Sequence, residues 1–547
     1  MEYYEAVNTL EGLRRVRPKL GTETTAALLD DLGDPHEGLT AVQVAGSNGK
    51  GSTAHVLERI LREAGVDVGL YTSPDLNDLR ERIRVGGQKI PKREVERFVE
   101  GEWSNVVDLA VAGDEPTFFE VFTALALWHF DREDVDVAVL EVGIGGRYDA
   151  TSVVDPAAAA VTSVSLEHTD IIGSTIEEIA RDKAQVAPAG APLVTGTTGA
   201  ALEAIRGETE VLTVGGADAD IRASEEEFGG VESTIALAGP DWELRTRSSL
   251  LGAHQAVNAG IAAALARQLA RAGVEVADRH LAAGIRNAHV RARFEVMNEA
   301  PLTVLDGAHN PGACETLAAT LDRFAYDDLH LVFGAMRDKD HAAMCRALPA
   351  PDAVYLAEPE VDRAQDTGTL AAVFERETDA TIDCDVAVPG ALKWALRRAG
   401  ESDCILVTGS LYTAAEARDS WTRSPRVVRA DTAARARAVM RSADVAEPTR
   451  RARVNQLVGR TVRLHARRGI AADLKESMFD LGGVGVVSGV TGPDEHVEVL
   501  LSGTVAQFRK LISGLRGRQG GGYFASQIGD ALGIGGDDAA GEYPWSE

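Results

Sequence analysis

The segment Gly46-Ser47-Asn48-Gly49-Lys50-Gly51-Ser52 constrains this chain more than any other. The apolar run Ala41 to Val44 leads into it. Thr53 to Ala64 follows with helical spacing at Val56, Leu57, Ile60 and Leu61. Strand, glycine loop, helix is the plan of a phosphate cradle. Glycines let backbone N–H groups turn inward, and the helix N-terminus adds its dipole. Lys50 can bridge outer phosphates, and Ser52 can offer a hydroxyl to Mg²⁺. The spacing departs from the common GxxxxGK[ST] form. A ligand-free glycine turn is the plainer alternative, and the Lys and Ser in this context speak against it.

Strand and helix patterns alternate around the loop. Val66 to Tyr71, Asp136 to Val142 and Ala158 to Ser163 read as buried strands. Thr117 to Phe130 and Ser174 to Ala187 read as helices, the latter with Ser174 as cap and Glu177 at the box position. This indicates a mostly parallel α/β sheet. A second α/β unit begins near residue 298. Its strands are Leu302 to Leu305, His330 to Phe333, Ala353 to Leu356 and Cys404 to Val407, with helices at 312–324, 340–347 and 388–399. Beyond residue 430 a basic, alanine-rich stretch precedes a β-α-β-β-α order (strands 461–466, 484–490 and 497–501; helices 470–481 and 505–515). That order reads as a small ferredoxin-like α+β unit spanning 430–518. A glycine-rich, acidic linker or tail fills 519–547.

Composition supports this division. The 547 residues carry 84 acidic and 56 basic side chains, a net charge of -28, and only 9 of the basic residues are lysine. Such acidity reads as adaptation to high salt rather than as a sign of a cationic partner. From residue 421 onward the balance reverses to +4, which places a break near 425. The four widely spaced cysteines lack ligand spacing and suit free thiols in a reducing cytoplasm. No apolar run is long enough to span a bilayer.

Taken one at a time, the other chemical residues are ambiguous. Glu141 ends a buried strand, where it could hold Mg²⁺ or join a structural ion pair. A lone His168 or a helical Lys183 is more often structural. Their order is what matters: GSNGKGS, YTSPDL (71–76), ERIRV (81–85), PTFFEVFTA (116–124), LEVGIGGRYDAT (140–151), SLEHTD (165–170) and IARDKA (179–184). Then come LLGAHQAVNA (250–259), RFEV (293–296), LDGAHNPGA (305–313), VFGAMRDKD (332–340) and VTGSLY (407–412). Over residues 1 to about 420 this series resembles the folylpolyglutamate synthase/dihydrofolate synthase family, relatives of the Mur ligases.

The resemblance implies a P-loop-type Mur ligase central domain (1–297), a Rossmann-like C-terminal glutamate-ligase domain (298–425) and the small α+β unit. It implies ATP on Asn48, Gly49, Lys50, Gly51, Ser52 and Thr53, with Asn258, Arg293, Asp306 and His309 facing it. It implies Mg²⁺ at two sites, on Ser52, Ser73, Glu141 and His168, with Lys183 carbamylated as a further ligand. Thr117, Phe119 and Asp149 match pterin-contacting positions. Lys50, Lys183, Arg293 and His309 match the positions that carry the chemistry. The implied activity is ATP-dependent addition of L-glutamate to a folate or dihydropteroate carboxylate through an acyl phosphate. The implied setting is a cytoplasmic monomer that handles small molecules, without membrane or nucleic-acid partners. Departures are Asp75 for the family's His, Ser152 for Asn, Ala292 for Gly and Gln185 for Gly. A Mur-type ligase with another acceptor, or a nucleotide-binding regulator without catalysis, are the alternatives. Arginines at 450, 451, 453, 460, 463, 467 and 468 read as a solvated face, with an anion or RNA surface as the alternative. Some archaeal relatives with this layout continue into a dihydropteroate synthase domain; the composition break and the lack of that domain's motifs make the 430–518 unit read as a spacer or docking unit.

Overall fold

The computed structural model describes residues 3–15, 19, 21–169, 171–385 and 387–422, with the backbone of three later strands, Arg460–Arg467, Gly485–Thr491 and His496–Gly503. The basic segment at 430–456, the helices at 470–481 and 505–515 and the tail at 519–547 lie outside the described residues. The three later strands lie in the order first, third, second, with both pairings antiparallel. A split β-α-β unit has that strand order.

An eleven-stranded sheet forms the first domain. Its parallel centre runs Val211–Gly215, Leu193–Thr195, Pro156–Val161, Thr40–Ala45, Val137–Glu141, Val68–Tyr71. Alternate side chains enter opposite layers, as a pleat requires. Val137 and Val139 face the helices Lys50–Glu63, Ala253–Gln268 and Asp278–Asn287. Ala138 and Leu140 face Phe118–Arg132 and Lys92–Ala112. Glu141 shares the parity of Val137 and Val139, so it points toward the helix that follows the phosphate loop. Thr40–Ala45 is flanked by Val137–Glu141 on one side and Pro156–Val161 on the other. The loop therefore leaves the sheet at a carboxyl edge where the strand order changes direction, a position that favours ligand binding.

Three strands that the sequence did not reveal, Ile221–Phe228, Ser233–Gly239 and Trp242–Ser248, extend one edge. Their outward positions carry Glu and Arg, which masks the alternation. The phosphate-loop helix starts at Lys50 rather than behind Thr53, because Gly49 at φ 91° forms its N-cap. The helix expected from Ser174 is Ile176–Lys183. It is capped by Thr175, whose hydroxyl accepts the Glu178 N–H, while Ser174 donates to the Glu178 carboxylate.

The second sheet has six strands in the order Glu295–Glu299, Leu302–Leu305, Cys404–Thr408, Leu329–Phe333, Ala353–Leu356, Thr381–Cys384. All pairings are parallel except the first. The sheet thus begins at Glu295, before residue 298. Among the described residues no helix is long and apolar enough to cross a membrane.

Candidate active site

Gly46 leaves its strand at φ 139°, and a Cβ there would lie 2.0 Å from Thr162 Oγ1. At Gly49 a Cβ would lie 2.6 Å from Asn258 Oδ1. Both positions therefore require glycine, and the second seats the loop against the helix Ala253–Gln268. Lys50 Nζ donates to the carbonyls of Gly46 (2.8 Å) and Ser47 (3.3 Å). The buried Lys183 also donates to the Gly46 carbonyl, at 3.2 Å. Two ammonium groups thus converge on one oxygen. Glu167, 3.0 Å from Lys183 Nζ, offsets their repulsion. Burial raises the Glu167 carboxyl, but Lys50 and Lys183 outweigh it and hold the group at about 2. Burial also lowers the Lys183 amine, against the opposing pull of Glu167.

Glu141 supplies a second negative charge. Its carboxylate accepts the Ser73 N–H at 3.0 Å and lies 3.5 Å from where a Cβ on Gly51 would sit. Burial raises its pKa, Lys50 opposes this, and it forms no ion pair among the described residues. Ser52 and Thr53 are buried in the first helical turn, and Thr53 Oγ1 has no hydrogen-bond partner. His168 stands exposed at φ 47°, with Lys339, Lys50 and Lys183 near it.

The opposing wall belongs to the second domain. Asp306 accepts from Phe294 N (2.7 Å) and Ala308 N (2.8 Å), and Arg293 lies against Gly307, where a Cβ would be 2.5 Å from its Nη1. His309 Nδ1 sits 2.9 Å from the Gly307 carbonyl. Burial lowers this imidazole to about 4, so it is neutral near pH 7. A carbonyl only accepts, so Nδ1 carries the proton and Nε2 keeps a lone pair. His309 thus presents Nε2 as an acceptor. The two walls meet through a reciprocal amide pair. Asn310 Nδ2 donates to Asn48 Oδ1 (3.0 Å), and Asn48 Nδ2 donates to Asn310 Oδ1 (3.4 Å). Asn310 also caps the helix Pro311–Leu321.

Two of the three pterin candidates, Phe119 and Asp149, lie against Gly143. Phe119 is half-buried beside Tyr71, with ring centroids 5.7 Å apart, and it covers Gly143. Thr117 forms a capping box with Glu120. Asp149 is already saturated. One oxygen accepts from Gly143 N (3.0 Å) and Ile144 N (2.9 Å), the other from Thr151 N (3.0 Å) and Oγ1 (2.6 Å). A carboxylate has about four lone-pair sites. Asp149 therefore clamps the 143–151 loop, and a ring N–H could reach it only by displacing one of these donors.

Known proteins match this arrangement. The Mur ligase middle domain matches residues 44–266, and the Mur ligase glutamate ligase domain matches residues 292–411. A Bacillus subtilis dihydrofolate synthase/folylpolyglutamate synthase is 33% identical over 434 residues, which cover 76% of this chain and 98% of the relative. The chain belongs to the folylpolyglutamate synthase/dihydrofolate synthase family. Within that family, a probable bifunctional folylpolyglutamate synthase/dihydropteroate synthase of Haloferax volcanii is 52% identical over 524 residues, 94% of this chain. The chain spans 62% of that relative's length. A Mycobacterium tuberculosis folylpolyglutamate synthase complexed with ADP superposes with a TM-score of 0.71 at 29% identity, covering 78% of this chain and all of that one. Escherichia coli FolC in complex with DHPP and ADP gives 0.68 at 30%, over 77% of this chain and 98% of that one.

Two departures from the family pattern now have a physical setting. Ala292 adopts φ 52°, a conformation that suits glycine and costs alanine roughly 1 kcal/mol. Asp75 accepts from Arg82 Nε at 2.6 Å, beneath a stack in which Arg14 lies 4.1 Å over the Phe118 ring. Glu167 and Asn310 were not among the sequence candidates. Asn310 carried a signal, since Asn followed by Pro is a helix-start pattern.

Proposed function

We propose that this chain is an ATP-dependent ligase that adds L-glutamate to a folate- or dihydropteroate-type carboxylate. The observation that carries this reading is the convergence of Lys50 and Lys183 on the Gly46 carbonyl, beside a Glu141 carboxylate that forms no ion pair among the described residues. Lys50 places positive charge at the loop floor where phosphates would lie, and the carboxylates of Glu141 and Glu167 stand beside it. An acceptor carboxylate oxygen attacks the γ-phosphorus, the bond to ADP breaks, and an acyl phosphate forms. The glutamate amine then attacks the carbonyl carbon, and inorganic phosphate leaves. His309 Nε2, with its lone pair, is suited to take the proton from the incoming ammonium. Lys50 and Arg293 stabilise the charge that builds on the transferring phosphoryl group.

The Glu141 carboxylate and the Ser52 hydroxyl are the donors that Mg²⁺ prefers. Ser52, Ser73, Glu141 and His168 would hold it, and Lys183, if carbamylated, would hold a second ion. Bound there, Mg²⁺ supplies positive charge to the phosphate oxygens. No ready-made cage of three His, Cys, Asp or Glu side chains occurs among the described residues. Carbamylation requires a neutral amine, and burial of Lys183 favours one. The carbamate would repel Glu167, so that carboxylate would have to turn away.

Purified protein in high KCl, given ATP, MgCl₂ and L-glutamate, should release ADP only when dihydropteroate or tetrahydrofolate is added. Testing each acceptor separately identifies the substrate. ADP release that ignores both pterins, or none with any acceptor, overturns the reading in favour of another ligase or a regulator.

A further inference from the structure

We propose that Glu81 is a positioning residue that couples the linker between the two domains to the loop beside Ser73. It opens the ERIRV segment, and no role at the site described above uses it. The side chain is buried in the turn Leu79–Arg82. One oxygen accepts two backbone N–H groups from the loop after Ser73, those of Leu76 (2.9 Å) and Asn77 (3.3 Å). The other oxygen takes Arg291 Nη1 at 3.0 Å. Arg291 lies in the linker that leaves the helix Asp278–Asn287 and enters the strand Glu295–Glu299.

Beyond Arg291 the linker is fixed to the second domain. Ala292 N donates to Glu295 (2.9 Å), the Ala292 carbonyl accepts from Gly307 N (2.9 Å), and Phe294 N donates to Asp306 (2.7 Å). Ala292 and Phe294 are both left-handed, at φ 52° and 43°. They bracket Arg293, which faces the phosphate wall. Any rotation of the second domain therefore moves Arg291 and Arg293 together, and Arg291 is tied to the first domain through Glu81. The same carboxylate holds residues 76 and 77, a few residues from Ser73, whose N–H fixes Glu141. This side chain thus links the two walls at a second place, in addition to the Asn48–Asn310 pair. Its two oxygens are engaged by Leu76, Asn77 and Arg291, so its effect falls on turnover through closure.

This inference rests on the ligase reading, and its test separates the two. The variants are Glu81→Gln, Arg291→Met, their combination, and Arg291→Lys, which keeps a cation for Glu81. Each of the first two should lower kcat for glutamate-dependent ADP formation by roughly tenfold, while the double variant is no worse than the poorer single, as expected for two members of one ion pair. The KM for ATP should stay near that of the unaltered chain, and Arg291→Lys should recover most of the turnover. Hydrogen exchange at residues 74–78 should quicken in Arg291→Met, although the substitution lies in another segment. Multiplying losses, unchanged kcat in both singles, or unchanged exchange at 74–78 would each overturn the coupling. Should Glu81→Gln not fold, the Arg291→Met and Arg291→Lys comparison decides. Should the unaltered chain form no ADP with any pterin, the ligase reading fails and the exchange measurement alone decides the coupling.

Discussion

Replacing Lys50 with alanine should abolish ADP formation, by about 10³-fold or more, with the melting curve nearly unchanged. Removing one preorganised donor from a developing oxyanion typically costs 10²–10³, and Lys50 carries a full charge. Its ammonium donates to the Gly46 and Ser47 carbonyls. Those contacts are modest, and Lys183 still reaches the Gly46 carbonyl when Lys50 is gone. The fold therefore loses little while the phosphates lose their bridging cation. Steady-state ADP release with saturating acceptor and glutamate is the measurement, with circular dichroism as the control for folding. A variant within tenfold of the parent would remove Lys50 from the chemistry.

The largest effect on stability should come from the pair Glu295–Arg418. Arg418 donates Nε (2.8 Å) and Nη2 (2.8 Å) to the two oxygens of Glu295, and both side chains are buried. The same carboxylate accepts the Ala292 N–H, so it also secures the left-handed linker. Arg418→Met strands a buried charge, and breaking such a pair costs about 3–5 kcal/mol. Burial raises the Glu295 carboxyl, but Arg418 outweighs it and holds the group at about 2. A carboxylate depressed in the folded state stabilises fully above its unfolded pKa, and that contribution is lost as pH falls through the folded value. For Glu295 the window runs from about 4.5 down to about 2. Urea denaturation at pH 7 and at pH 3 should show the variant's deficit shrinking at the lower pH. A deficit below about 1 kcal/mol at pH 7 would mean the pair is not the anchor described.

The parallel centre of each sheet was legible because buried parallel strands are continuous apolar runs, such as Val137 to Leu140 and Cys404 to Val407. Helix starts were less legible. Gly49 moves one start forward to Lys50, and Thr175 rather than Ser174 caps another, since neighbouring Ser and Thr compete for the same role. The antiparallel edge at 221–248 escaped because its exposed face is charged. At the site, Lys50, Glu141 and Lys183 were readable from order and motif. The pairings that join the two domains were not. Asn48 meets Asn310 across 262 residues, and Glu81 meets Arg291 across 210. No local pattern encodes such pairings. Asp149 shows the opposite case: its motif matched a ligand-contacting position, yet its carboxylate is committed to its own loop.

The central claim is that the acceptor carboxylate is activated as an acyl phosphate on the Lys50 loop. It is tested most directly with an acceptor carrying ¹⁸O in both carboxylate oxygens, in a single-turnover reaction with ATP and L-glutamate. The account predicts that the released inorganic phosphate carries one ¹⁸O and the new amide keeps the other. Phosphate free of ¹⁸O, with amide product still formed, would contradict it.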